Sequence, residues 1–138
     1  MAKKKKNNKS KLKVLIGFLL LFISLILIIS FMSYFINWKV DQSNISEILD
    51  RSVKTENYLG KIGATLSHLF IYQLFGIASF IIPIILCITS YYLLLEKKLF
   101  RLVGSWTWAI IYILWISIFT GYIQDISYIP SGVVGYEI

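Results

Sequence analysis

From Val14 to Ile36 the chain runs through 23 consecutive side chains without a single charge. At about 1.5 Å per residue a helix of that length reaches roughly 35 Å, enough to cross a hydrocarbon core of about 30 Å with some tilt. The flanks are asymmetric: Lys11 and Lys13 stand on one side, Tyr34, Trp38 and Lys39 on the other. Basic and aromatic residues placed this way anchor a span at its two interfaces. A cleaved signal peptide has an apolar centre of only about 7 to 15 residues that ends at small residues. This run is longer and closes on Ser33-Tyr34-Phe35, so it is read as an uncleaved signal anchor.

Composition points the same way. The 138 residues are 57% hydrophobic and 15% charged, where a soluble domain needs about a quarter of its residues charged. Seven of the fourteen basic residues, Lys3, Lys4, Lys5, Lys6, Lys9, Lys11 and Lys13, fall in the first thirteen positions, and the remaining seven are balanced by seven acids. A single cysteine, Cys87, excludes an intramolecular disulfide framework and a Cys-based zinc site; the single histidine, His68, excludes a two-histidine constellation. The expected class is an all-α integral membrane protein.

A second apolar region, from about Leu66 to Leu95, exceeds one comfortable crossing. Gly76 is the expected break, leaving transmembrane helix 2 over residues 77–95 and a separate amphipathic helix over 58–75, lying at the outer interface or re-entrant. In that helix Leu59, Ile62, Leu66, Leu69 and Phe70 recur at helical spacing, with Lys61, Thr65 and His68 as a polar stripe. Pro83 is expected to kink the second span. The third span is read over residues 106–123, between Trp106 and Tyr122.

Positive-inside counting orients the chain. The basic tail, 1–13, and the connection 96–105, with Lys97, Lys98 and Arg101, are expected on the cytoplasmic side, and their lysines and arginine serve topology and membrane-surface contact. The loop 37–57 carries Asp41, Glu47, Asp50 and Glu56 against three basics and is expected outside. Within it Asn44-Ile45-Ser46 matches a glycosylation acceptor formally but reads as a helix cap. Three spans that start inside end outside, so 124–138 is an external segment. The chain is expected to be a piece of a longer protein with a further span to come.

Chemistry is sparse. No phosphate loop is present, and every Asp and Glu falls in a loop or at a helix end, which argues against a proton-coupled transporter. Ser24, Ser30, Ser33, Ser79, Thr89, Ser90, Ser117 and Thr120 are the polar groups of the spans, suited to their own helix backbone or to interhelical contact. Gly60-x-x-x-Ala64 and Gly63-x-x-x-Ser67 are small-residue pairs that favour close helix approach. His68 is expected to be an interfacial histidine bonded to backbone or lipid, and Cys87 a small apolar filler. No catalytic, cofactor-binding or metal-ligating residue is assigned. The lysine tail could touch nucleic acid through phosphates, but no aromatic residue is interleaved for stacking, and topology and lipid contact explain it.

The segment Asn57-Tyr58-Leu59-Gly60-Lys61-Ile62-Gly63-Ala64-Thr65-Leu66-Ser67-His68, followed by Leu74-Phe75-Gly76-Ile77-Ala78-Ser79-Phe80 and Pro83, resembles the region entering the second span of bacterial FtsK/SpoIIIE-type DNA translocases. The basic N-terminus, the basic loop after span two and Ser131-Gly132-Val133-Val134-Gly135 agree. The resemblance implies a four-span membrane anchor at the division septum of the bacterial cytoplasmic (inner) membrane, of which the fourth span is missing here. It further implies a hexameric parent protein, other division proteins as partners beside the lipid bilayer, and DNA contact only through an ATP- and Mg-dependent motor outside this chain. In this reading the chain is a scaffold and localiser, not an enzyme, and Gly60, Gly63, Ala64, Ser67, Gly76 and Pro83 are packing or hinge positions. The alternatives are a small multi-pass transporter or channel subunit and a stand-alone membrane accessory protein.

Overall fold

The computed structural model describes residues 2–43, 56–123 and 130–137. The described residues are all helical, without strands: α1 (Ala2–Ser43), α2 (Gly60–Ser67), a π-helical stretch (His68–Phe75), a 3-10 turn (Gly76–Phe80), α3 (Ile81–Leu94), α4 (Phe100–Ile123) and α5 (Gly132–Glu137). Three stretches, Lys11–Ile36, Gly60–Leu94 and Leu102–Ile123, are long and apolar enough to cross a membrane.

The helix α1 overruns the apolar run at both ends, taking in the lysine-rich residues 2–13 and residues 37–43. Its cause is local: between Ala2 and Ser43 there is no proline and one glycine, Gly17, so nothing stops the helix where the hydrophobic run does. Likewise α4 starts at Phe100, inside the connection expected over 96–105, and carries Arg101 in its first turn. The acceptor-like Asn44-Ile45-Ser46 and most of the expected outer loop lie outside the described residues, as do residues 124–129.

Buried positions on α1 fall at Gly17, Ser24, Leu27, Ser30, Phe31, Ser33 and Tyr34; Gly17, Ser24, Leu27, Phe31 and Tyr34, spaced by seven, three, four and three, form one seam, with Ser30 and Ser33 beside it. The seam is small at the Lys13 end and large at the Tyr34 end. Where it is small, α3 comes close and runs antiparallel: a Cβ on Gly17 would lie 3.0 Å from Leu94, the Ser90 hydroxyl donates to the Gly17 carbonyl at 2.7 Å, and the Ser24 hydroxyl donates to the Pro83 carbonyl at 2.7 Å beside Cys87 Sγ. Where it is large, Leu27, Phe31 and Tyr34 pack with Ile71, and Leu66, Phe70 and Phe80 close around them. Phe31 sits 5.9 Å from the Phe70 ring and 5.5 Å from the Phe80 ring.

Among the described residues, contacts from 58 to 80 meet α1 between Leu27 and Phe35. Ser30 bonds Gly63, Ser33 bonds Tyr58, Phe31 meets Phe70 and Phe80, and Phe35 meets Phe80. From 27 to 35 a helix rises only about 12 Å, less than the length of the segment itself, so α2 and the π-helical stretch cross the Tyr34 end of α1 instead of running along it. Gly76 then turns the chain into α3. Pro83 stands third in α3, in the first turn, where a missing N–H breaks no intrahelical bond. The interruption of the second hydrophobic stretch therefore lies upstream of it, at Gly76, and not in an interior kink at Pro83.

The hairpin from α3 to α4 is a tight helix stop. Lys97 N–H bonds the Tyr92 carbonyl at 2.9 Å and Glu96 N–H the Leu93 carbonyl at 3.3 Å, the paired bonds of a Schellman motif. Its left-handed position is held by Glu96, at φ 50°, where glycine is usual. Glu96→Gly is expected to raise unfolding free energy by about 1 kcal/mol by removing the Cβ penalty. The measurement is protection of Cys87, the lone thiol, against a maleimide during thermal unfolding.

Candidate functional site

Two glycine joints at the Tyr34 end hold this architecture together, and both use stretches that the sequence singles out. In the first, the buried Asn57 folds back over α2. Its Oδ1 accepts from Leu59 N–H at 3.1 Å and its Nδ2 donates to the Ser30 carbonyl at 3.2 Å. Gly60 N–H closes the turn onto the Asn57 carbonyl at 2.7 Å with a positive φ of 61°, a conformation that glycine adopts without a Cβ penalty. A Cβ on Gly63 would lie 2.2 Å from Asn57 Oδ1. The Gly63 carbonyl in turn accepts from Ser30 at 2.6 Å and from Ser67 at 2.9 Å. The pattern Asn57-x-x-Gly60-x-x-Gly63 is thus one device: a turn, an amide and a gap for that amide, fastened to α1.

In the second joint α5 seals the break in the hydrophobic stretch. Gly76 ends the π-helical segment at φ 61°, ψ −139°, and residues near this break lie outside the regular helical hydrogen-bond ladder. A broken helix at membrane depth must have its backbone groups satisfied by protein. Ile77 N–H bonds the Pro130 carbonyl at 2.9 Å, and the Ser79 hydroxyl donates to the Phe70 carbonyl. The approach is close enough to exclude side chains: a Cβ on Gly76 would meet Pro130 O at 2.0 Å, and one on Gly132 would meet Leu74 O at 2.1 Å. On its other side α5 presses on α4. A Cβ on Gly121 would meet Gly135 O at 1.7 Å, a Cβ on Gly135 would meet Ser117 O at 2.0 Å, and the Ser117 hydroxyl donates to the Ser131 carbonyl at 2.8 Å.

Beside this joint a cleft of about 250 Å³ opens between the π-helical stretch and α5, lined by Ile71, Tyr72, Ser131, Val133, Tyr136 and Glu137 among others. Among the described residues no three of His, Cys, Asp and Glu gather as a metal site. What the joints do chemically is satisfy backbone groups, by two backbone–backbone bonds and otherwise by the Asn57 amide and the hydroxyls of Ser30, Ser67, Ser79 and Ser117.

The sequence-selected residues take unequal parts. Gly63, Ala64, Ser67, Gly76 and Pro83 are buried, whereas nothing lies within 4 Å of a Cβ on Gly60; Gly60 serves backbone conformation, not the close helix approach expected of a small-residue pair. The His68 Nδ1 is buried with no hydrogen-bond partner among the described residues, and its ring stacks on Tyr72 at 4.8 Å. Thr89 and Thr120 bond their own helix, at Ile85 O and Ile116 O, while Ser24, Ser30, Ser90 and Ser117 reach across to another element. Cys87 lies half-buried against Ser24. At the opposite end Lys11, Lys13, Lys97 and Lys98 are exposed. Lys3, Lys4, Lys5, Lys6 and Lys9 ride on the first turns of α1.

Sequence reasoning left Gly121 unmentioned, offered Ser117 as one hydroxyl among several suited to its own helix or to interhelical contact, and took in Asn57 and Gly135 through the family resemblance alone. The signal was the recurrence of Gly and Ser one turn apart, at 117 and 121 and at 132 and 135, but only the fold shows that these faces meet. A family model described as the 4TM region of DNA translocase FtsK/SpoIIIE matches residues 9–138, nearly the whole chain, including both joints. The chain belongs to that family. No curated protein and no solved structure matches it. This 4TM region is the membrane anchor of an FtsK/SpoIIIE-type translocase and not its motor.

Proposed function

We propose that this 4TM region is the septum-localising, oligomerising scaffold of a cell-division DNA translocase, coupling chromosome partition to division. It holds an ATP- and Mg-driven motor, which lies outside this chain, at the bacterial inner membrane. The N-terminus is cytoplasmic, the parent assembly is a hexamer, and the outer segments contact other division proteins; DNA is reached through the motor alone. The supporting observation is the family match across residues 9–138, carried by a bundle whose glycine joints brace the crossing element against both α1 and α4.

Orientation is supported by the grouping of exposed Lys11, Lys13, Lys97 and Lys98 at one end of the bundle. A transporter or channel needs polar groups open to a path. Here the hydroxyls of Ser24, Ser30, Ser90 and Ser117 are each given to a carbonyl of a packed neighbour.

A fusion of the chain to a fluorescent protein is expected to concentrate at midcell in dividing cells, and an even envelope signal would count against the septal role. Cysteines placed singly at Lys98 and Tyr136 in a Cys87→Ser background are expected to react with a membrane-impermeant maleimide from the cytoplasmic and outer sides respectively. The reverse pattern would invert the topology.

A further inference from the structure

The end of the bundle opposite the joints carries an unassigned convergence of charge. Lys13 lies four residues before Gly17, so it shares the face of α1 that meets α3. That face touches α3 at Leu93 and Leu94, the last residues of the helix. Lys13 therefore stands about one turn beyond the end of α3, at the level of the hairpin that carries Lys97 and Lys98. All three lysines are exposed. Glu96 is the one acid among the described residues of this end.

The hairpin is built to hold its lysines. Its Schellman bonds run through Lys97 N–H itself, and Glu96 occupies a left-handed conformation that non-glycine residues rarely adopt. Lys97 Nζ donates to Tyr91 Oη at 2.9 Å and stands 4.3 Å from the Tyr91 ring centroid, with the Tyr92 ring at 5.9 Å. An ammonium has three donors, so one bond to Tyr91 orients the group without exhausting it. These lysines stand at the ends of the apolar stretches Lys11–Ile36 and Gly60–Leu94, where headgroup contact is expected. Tyr91, Tyr92 and Trp106 ring this end, Trp106 bonded through Nε1 to Thr89 at 3.1 Å, as aromatic residues do at a membrane interface. Leu95, Leu99 and Phe100, the last 88% exposed, offer apolar surface beside the lysines.

We propose that Lys13, Lys97 and Lys98 form a headgroup site for an anionic phospholipid, its phosphate held between α1 and the α3–α4 hairpin and its acyl chains against Leu95, Leu99 and Phe100. A lipid fits better than a nucleic acid because the charges stand at the edge of the apolar belt with hydrocarbon-facing side chains among them, and a phosphate entering from the bilayer brings its own chains. The proposal rests on the membrane-anchor reading.

The test reconstitutes the full chain in phosphatidylcholine vesicles and compares the motional restriction of spin-labelled phosphatidylglycerol with that of spin-labelled phosphatidylcholine. Wild type is expected to prefer phosphatidylglycerol by about threefold or more. K13Q/K97Q/K98Q should bring the preference close to unity. K61Q, at the other end, should leave it unchanged, and K3Q/K4Q/K5Q/K6Q/K9Q should retain most of it. Y91F should weaken it partially, by freeing the Lys97 ammonium.

No preference in wild type, an unchanged preference in K13Q/K97Q/K98Q, or loss only with the tail variant would overturn the site. So would retention of a duplex oligonucleotide that depends on these three lysines without lipid selectivity, or equal competition by inorganic phosphate. Co-flotation of wild type with the vesicles is scored first, so that a failed anchor is seen as lost flotation and a failed site as lost selectivity.

Discussion

Gly121→Ala is expected to cost about 3 kcal/mol of unfolding free energy, an overpacking penalty at the upper end of the usual range. The added methyl would stand 1.7 Å from the Gly135 carbonyl oxygen, and neither partner is a side chain that can rotate away. Either α5 lifts off α4 or α4 bends. If α5 lifts, the Ser117 bond to Ser131 and the Ile77 bond to Pro130 open with it, and the break at Gly76 loses its cover. Gly104→Ala is the matched control, because nothing lies within 4 Å of a Cβ there. Alanine is the better helix former, so this variant should be neutral or more stable by up to about 1 kcal/mol. Denaturation by SDS with Cys87 labelling as the readout measures both. Hydrogen exchange over residues 130–137 separates detachment of α5 from global unfolding. Equal stability of the two variants would show that the close approach of α4 and α5 is not a real constraint.

The second large effect concerns the other joint. Gly63→Ala places a methyl 2.2 Å from Asn57 Oδ1 and 2.7 Å from Leu59 Cβ, evicting the amide that holds Leu59 N–H and the Ser30 carbonyl. The expected cost is again about 3 kcal/mol, part steric and part the desolvated polar groups left behind. Asn57→Ala alone should cost about 2 kcal/mol by stranding the same groups. In the double variant the methyl meets less, so the two costs should fail to add by at least about 1 kcal/mol. Additive costs in the same SDS titration would mean that Asn57 and Gly63 do not act as one unit.

How far each element was legible follows from what its residues need. The spans were readable because hydrocarbon selects long uncharged runs regardless of neighbours, and Lys11–Ile36 is helical throughout as the run from Val14 to Ile36 requires. Helix ends were less readable. The lysines before Val14 and the residues after Ile36 are compatible with helix, so α1 continues through both. At Glu96 the chain stops a helix with a residue that carries no stop signal, since neither glycine nor proline marks the place. Pro83 sent the opposite message: a residue that breaks helices in the interior sits harmlessly in a first turn.

The sequence by itself determined that this chain crosses a membrane on three hydrophobic stretches, and Asn57, Gly60, Gly63, Gly76 and the Ser131–Gly135 stretch carried its family. Those properties depend on local composition and spacing, which the order of residues contains. Only the tertiary structure decided why the glycines are glycines. Whether a Cβ fits at Gly121 or Gly132 depends on which carbonyl stands opposite, 14 residues away in one case and 58 in the other. Likewise, whether a serine bonds its own helix or the next depends on what packs against it. Backbone contacts between distant segments leave no pattern of their own in a sequence beyond the small residues that permit them, and small residues are common for many other reasons.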